Sequence, residues 1–129
     1  MSVDATSPRV LVIVSDLLFQ ARIVDAIIAL GGRPALVEDD ESLTAAMALL
    51  PAAAVVDLHE RSLDALAAIR ELRRAGVRSL AFGRHTEPAL LRSARDGGAS
   101  AAVPRSQLVE ELPELLRVLL QLPTPDPAT

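Results

Sequence analysis

Two hydrophobic periods alternate along the chain. Residues 9–14, RVLVIV, form an unbroken apolar run rich in β-branched side chains, which predicts a strand covered on both faces. Ser15 and Asp16 follow, and either can cap the next helix. That helix is predicted over 17–30, with Phe19, Ile23, Ala26, Ile27 and Leu30 on one stripe and Gly31-Gly32 as its stop. RPALVE (33–38) reads as a second strand, and the acidic DDES opens a short helix that stops before Pro51. AAAVVD (52–57) is the third strand, Ser62 to Ala75 a helix closed by Gly76, and RSLAFG (78–83) the fourth strand. Thr86 is expected to cap a helix with Pro88 in its first turn and Gly97-Gly98 at its end. SAAV (100–103) predicts a short fifth strand, and a last helix is expected from about Glu110 to Gln121, with Pro113 near its start.

Five strands alternating with five helices over short loops call for a parallel sheet with right-handed crossovers and helices on both faces. In the strand order 2-1-3-4-5 the topological switch lies between strands 1 and 3, and ligands sit beyond the carboxyl ends of the strands there. Asp16 follows the first strand and Asp57 ends the third, so the two carboxylates are predicted to face one another across that crevice.

At 129 residues the chain has the size of one domain able to bury a core without staples. It has no cysteine, which excludes disulfides, thiolate chemistry and Cys-based zinc sites. No basic-then-apolar leader opens it and no apolar stretch reaches membrane-spanning length, so a cytoplasmic protein that does not engage the membrane is expected. All thirteen basic residues are arginine, yet the net charge is −4 and neither Tyr nor Trp occurs. Nucleic acid is therefore not the expected partner.

The third strand ending on Asp57, the five-fold alternation and DGGAS (96–100) leading into the fifth strand carry a resemblance. Over about residues 9–122 the chain resembles the receiver domains of bacterial response regulators, of flavodoxin-like, doubly wound α/β fold. The resemblance implies a phosphoacceptor at Asp57, loaded by a histidine kinase, and Mg²⁺ held by an acidic pair with Asp57 and the backbone carbonyl at His59. Phosphoryl transfer to a carboxylate needs a divalent cation to offset charge and donors around the equatorial oxygens. Asp16 matches the second member of the acidic pair, but the first is Ser15. The switch hydroxyl falls at Gly83, which has none, and the conserved-type lysine position is Arg105, followed by Ser106 where the family has proline. A cis bond before a non-proline residue costs roughly 2.5–4 kcal/mol, so a trans bond and a rearranged loop are expected before Ser106. These departures describe a degenerate, stand-alone receiver. The expected organisation is a tail at 1–8, the receiver-like domain at 9–122 and a disordered tail at 123–129, with output through a separate signalling partner.

Other readings compete. Asp57 as a working, Mg²⁺-dependent phosphoacceptor is one. Asp16, Asp57, His59 and His85 together suggest a metal-dependent hydrolase, since imidazole and carboxylate suit Zn or Fe. A crevice holding a small anion against Arg105 is a third. The arginines of IRELRRAGVR (69–78) suit a solvated helix end. A second stripe on the first helix (Leu17, Ala21, Val24, Ile28) and the nearly all-round apolar last helix (Leu112 to Leu122) predict a homodimer through these two helices, testable with Leu119→Glu.

Overall fold

The structure, a computed structural model, describes residues 7–123. The expected tails therefore lie largely outside the described residues. Five parallel strands, β1 (Arg9–Ile13), β2 (Arg33–Leu36), β3 (Ala53–Asp57), β4 (Arg78–Gly83) and β5 (Ala101–Pro104), form one sheet in the order β2-β1-β3-β4-β5. The fold class and strand order are those anticipated. The register sets Ile13 beside Val56 and Asp57 beside Phe82. β3 is buried along its whole length because it lies between two strands and beneath helices on both faces.

Helices α2 (Asp40–Met47), α3 (Ala65–Arg74) and α4 (Pro88–Asp96) cover one face of the sheet, over a core of Leu11, Ile13, Leu43, Val56, Ile69, Leu72, Ala81 and Leu91. Helices α1 (Leu17–Ala29) and α5 (Arg105–Leu119) cover the other, over Val10, Val12, Ile23, Ile27, Val55, Phe82, Leu112 and Leu116. Alternate residues of each strand thus feed two separate cores, as a period of two requires.

Element ends moved where side chains compete for the backbone. Asp16, not Ser15, caps α1, its Oδ1 accepting the N–H groups of Leu18 at 3.0 Å and Phe19 at 3.2 Å. α3 begins at Ala65 rather than at Ser62, because Ser62 gives both its N–H and its hydroxyl to Glu60 and Asp64 takes the cap. α4 is preceded by Glu87 rather than Thr86 at its cap position, with no side-chain cap bond. The largest correction concerns α5, which starts at Arg105 instead of Glu110. Pro113 lies inside it, and Glu111 (φ −118°, ψ 19°) marks a kink joining two helical segments. Proline has no N–H for the preceding turn and its ring crowds that turn, which breaks the ladder without ending the helix. The described residues hold no cis peptide, so the bond before Ser106 is trans, and α5 begins where a longer loop was expected.

Candidate functional site

A cavity of about 530 Å³ opens at the carboxyl ends of the strands, lined by Ser15 and Asp16 after β1, Asp57 to Arg61 around the end of β3, Arg84 after β4 and Arg105 at the start of α5; Leu58 turns away into the core. The switch point thus brings together Ser15, Asp16, Asp57, His59 and Arg105, as the sequence predicted.

Asp57 is only 4% exposed. Its Oδ1 accepts the backbone N–H of His59 at 2.8 Å, and its Oδ2 lies 3.9 Å from Nη2 of Arg105. Burial pushes the Asp57 carboxyl above its ordinary range, against the opposing pull of the His59 N–H and the Arg105 charge. The Arg105 guanidinium also lies over the Phe19 ring, 5.4 Å from its centre, and Phe19 packs against Phe82 with ring centres 5.6 Å apart. Two aromatic rings therefore fix the direction from which the cation approaches Asp57.

Gly83 ends β4 and is buried. A Cβ there would meet Leu58 Cδ1 at 3.4 Å and Leu91 Cδ2 at 3.7 Å, so apolar side chains border the position where the resemblance asks for a hydroxyl. The β4–α4 turn instead contributes charge. Oε2 of Glu87 lies 3.4 Å from Nε2 of His59, and Oε1 lies 3.6 Å from Nη1 of Arg84. Glu87 leaves the helix end uncapped and reaches toward the loop after β3. His85 is exposed and does not line the cavity.

Glu60 was not anticipated. Its Oε1 accepts from the Ser15 hydroxyl, from the N–H groups of Arg61 (2.9 Å) and Ser62 (3.2 Å), and from the Ser62 hydroxyl (3.1 Å). Burial raises the Glu60 carboxyl, but these donors outweigh it and hold the group below its ordinary value. A carboxylate three residues past Asp57, in a chain whose Ser15 lacks one, was the available signal; the turn that swings it back to Ser15 is not readable from a hydrophobic pattern.

Asp16, Asp57 and His59, named by the resemblance for Mg²⁺, line one cavity, with Ser15 where a further acid is called for. Among the described residues no three Asp, Glu or His side chains come together so as to hold a metal ion. Asp16 spends one oxygen on its helix cap, and Glu60 spends one on four donors. The positive charge beside Asp57 comes from Arg105. Of the four residues of the hydrolase reading, Asp16, Asp57 and His59 line the cavity and His85 does not, and among the described residues no three such side chains are grouped so as to hold a metal ion.

No protein-family model and no curated protein matches the chain. Solved structures do. The chain is similar to the signal receiver domain of NarL from Mycobacterium tuberculosis, at 22% identity over 89% of this chain and 97% of that one, with a TM-score of 0.74. It is similar to the receiver domain of NtrX from Brucella abortus, at 16% identity over 88% and 98%, with a TM-score of 0.76. For the receiver domain of TorR, the regulator of a TMAO respiratory system, the values are 17%, 88%, 97% and 0.79. At these identities the likeness shows the fold, which is the receiver fold of response regulators.

Proposed function

We propose that this chain is a receiver-like module of two-component signalling that works by protein–protein contact, and in which Asp57 no longer drives a phosphoryl-dependent switch. The observation that carries this reading is the surroundings of Asp57: a buried carboxylate beside Arg105, with Leu58 and Leu91 packed around the bare Gly83. A transferred phosphoryl group would need a donor at the end of β4 to draw the following loop inward, and Gly83 supplies no side chain. The loop is tied instead by Glu87 to His59 and Arg84. The partner is then a signalling protein, a histidine kinase or a downstream effector, that reads the surface of one maintained state.

Intact-mass measurement after incubation with acetyl phosphate and Mg²⁺ tests this. The expected result is an unmodified chain. A phosphoryl adduct that disappears in Asp57→Asn would establish the competing reading, a working phosphoacceptor.

A further inference from the structure

Because all five strands run parallel, the turns that lead into β3, β4 and β5 lie side by side at the amino ends of the strands, on the rim opposite Asp57. Each turn follows the carboxyl end of a helix on the same face of the sheet, α2, α3 and α4 in order. The first turn carries Leu49 and Leu50, 61% and 88% exposed. Leu50 is held at φ 55°, a left-handed conformation that bulky side chains rarely adopt. It also precedes the buried Pro51, and a proline pushes the residue before it toward extended backbone. The second turn is flanked by Arg73 and Arg74, with Arg70 a helical turn earlier; all three are exposed. Among the described residues none of these three guanidiniums meets a carboxylate or donates a hydrogen bond. The third turn is Gly97-Gly98, whose bare backbone seats two of the arginine stems. A Cβ at Gly97 would lie 3.6 Å from Arg70 Cγ, and one at Gly98 2.2 Å from Arg73 Cδ.

Charge is also sorted along the chain. Residues 65–100 hold seven of the thirteen arginines and three of the seventeen acids, so the remainder is strongly acidic. A helix dipole accounts for cations at the end of α3, but not for exposed leucines at the end of α2, whose last turn has no basic residue. Exposed apolar side chains beside unpaired cations, on backbone strained to present them, mark a contact surface. We propose that this rim is a docking surface for a short acidic amphipathic segment of a partner protein. Its carboxylates pair with Arg70, Arg73 and Arg74, and its apolar side chains lie on Leu49 and Leu50. An extended polyanion, whether a nucleic acid or an anionic bilayer, would overhang the acidic remainder of the surface and be repelled, whereas a short segment would not. Bracing of Arg70 and Arg73 on Gly97 and Gly98 lowers the cost of ordering them on binding. The rim lies at the far end of the sheet from Asp57, so its role does not depend on whether that carboxyl is ever modified.

The test is a ¹H–¹⁵N correlation titration at about 150 mM salt with a short synthetic peptide of glutamate and leucine, blocked at both ends. The same peptide with serine in place of leucine, a DNA duplex and phosphatidylglycerol vesicles are run beside it. Saturable shifts are expected in the amides of Leu49, Leu50 and Ala52, of Arg73 to Val77 and of Gly97 to Ala99, with those of His59 and Arg105 unmoved. Affinity should fall at least about tenfold for the serine peptide, for the double variant Arg73→Gln/Arg74→Gln, and for Leu50→Asn. The two arginines are exposed, so their replacement leaves folding intact, and asparagine suits the left-handed backbone at position 50. No saturable shift, shifts confined to other surfaces, or equal affinity for the serine peptide would overturn the proposal. So would an unchanged affinity in either variant, or tighter binding of the duplex or the vesicles through the same arginines.

Discussion

Ser15 donates its hydroxyl proton to Oε1 of Glu60, so the position where the receiver pattern calls for an acid receives one from the opposite wall of the cleft. The bond spans 45 residues of sequence and ties the loop after β3 to the end of β1.

A stability consequence follows for Glu60. Its carboxyl is held below the ordinary value of 4.5, with burial opposing and the Ser15, Ser62 and Arg61 donors prevailing. A depressed acid adds stability above its unfolded pKa and loses it as pH falls through the folded one. Glu60→Gln should therefore lower the melting temperature by a few degrees at pH 7, with the gap to the parent closing on acidification below about 4.5. Ser15→Ala should give a smaller loss of the same pH dependence, because three donors remain. Thermal melts across pH 3 to 7 check both.

Asp57 has the opposite sign. Its carboxyl is raised above the ordinary 3.8, first by burial, so its favourable contribution is present below the unfolded value and lost as pH rises through the folded one. Asp57→Asn removes the cost of the buried charge while keeping an oxygen toward His59 and Arg105. The variant should melt a few degrees higher than the parent at pH 7, about 1 kcal/mol in a domain of this size, and the advantage should vanish near pH 3. A lower melting temperature at pH 7 would mean that the Arg105 pair outweighs desolvation.

The layout of the site was legible because strand order is. Apolar runs at 9–14 and 52–57 fix which strand ends meet at the switch point, and Asp16 and Asp57 follow from that, whereas Arg105 was pointed to by the resemblance to receiver domains. Loop-borne partners were not legible. Glu60 and Glu87 reach their places through turns whose dihedrals leave no periodic trace, Glu60 to meet Ser15 and Glu87 to meet His59 and Arg84. The beginning of α5 was missed because Pro113 reads as a helix start, whereas packing of Leu108 and Leu112 in the core holds the first segment helical across the kink.

Gly83 and Gly98 should respond differently to a methyl group. At Gly83 the nearest atom to a new Cβ is Leu58 Cδ1 at 3.4 Å, an ordinary contact. At Gly98 the backbone has φ +114° and a Cβ would fall 2.2 Å from Arg73 Cδ. Gly98→Ala should cost more than about 1 kcal/mol from backbone strain and displacement of the Arg73 stem. Gly83→Ala should stay within about that amount, and denaturant melts of the two variants measure the difference. Gly83→Ser should likewise fold, yet leave Asp57 unmodified by acetyl phosphate, because Ser15 still stands at the first position of the acidic pair.

Self-association through the first and last helices calls for a different variant from the one the sequence suggests. Leu119 is 3% exposed and belongs to the core under α5, so Leu119→Glu should unfold the domain whatever its oligomeric state. Most of the apolar surplus of α5 is absorbed in the same way, by Leu108, Leu112 and Leu116. What remains outside is Val109 and Val118 on α5, and Leu17, Leu18 and Ile28 on α1, the helix packed beside it. Val118 is 60% exposed, so a charge there costs the folded monomer little while opposing apolar contact between copies. Light scattering at two concentrations should show a concentration-dependent dimer for the parent chain. Ile28→Glu and Val118→Glu should each yield a folded monomer with an unchanged melting profile at low concentration. A parent chain that stays monomeric throughout would assign these side chains to a different protein's surface, and the contact that carries the signal would then be heteromeric.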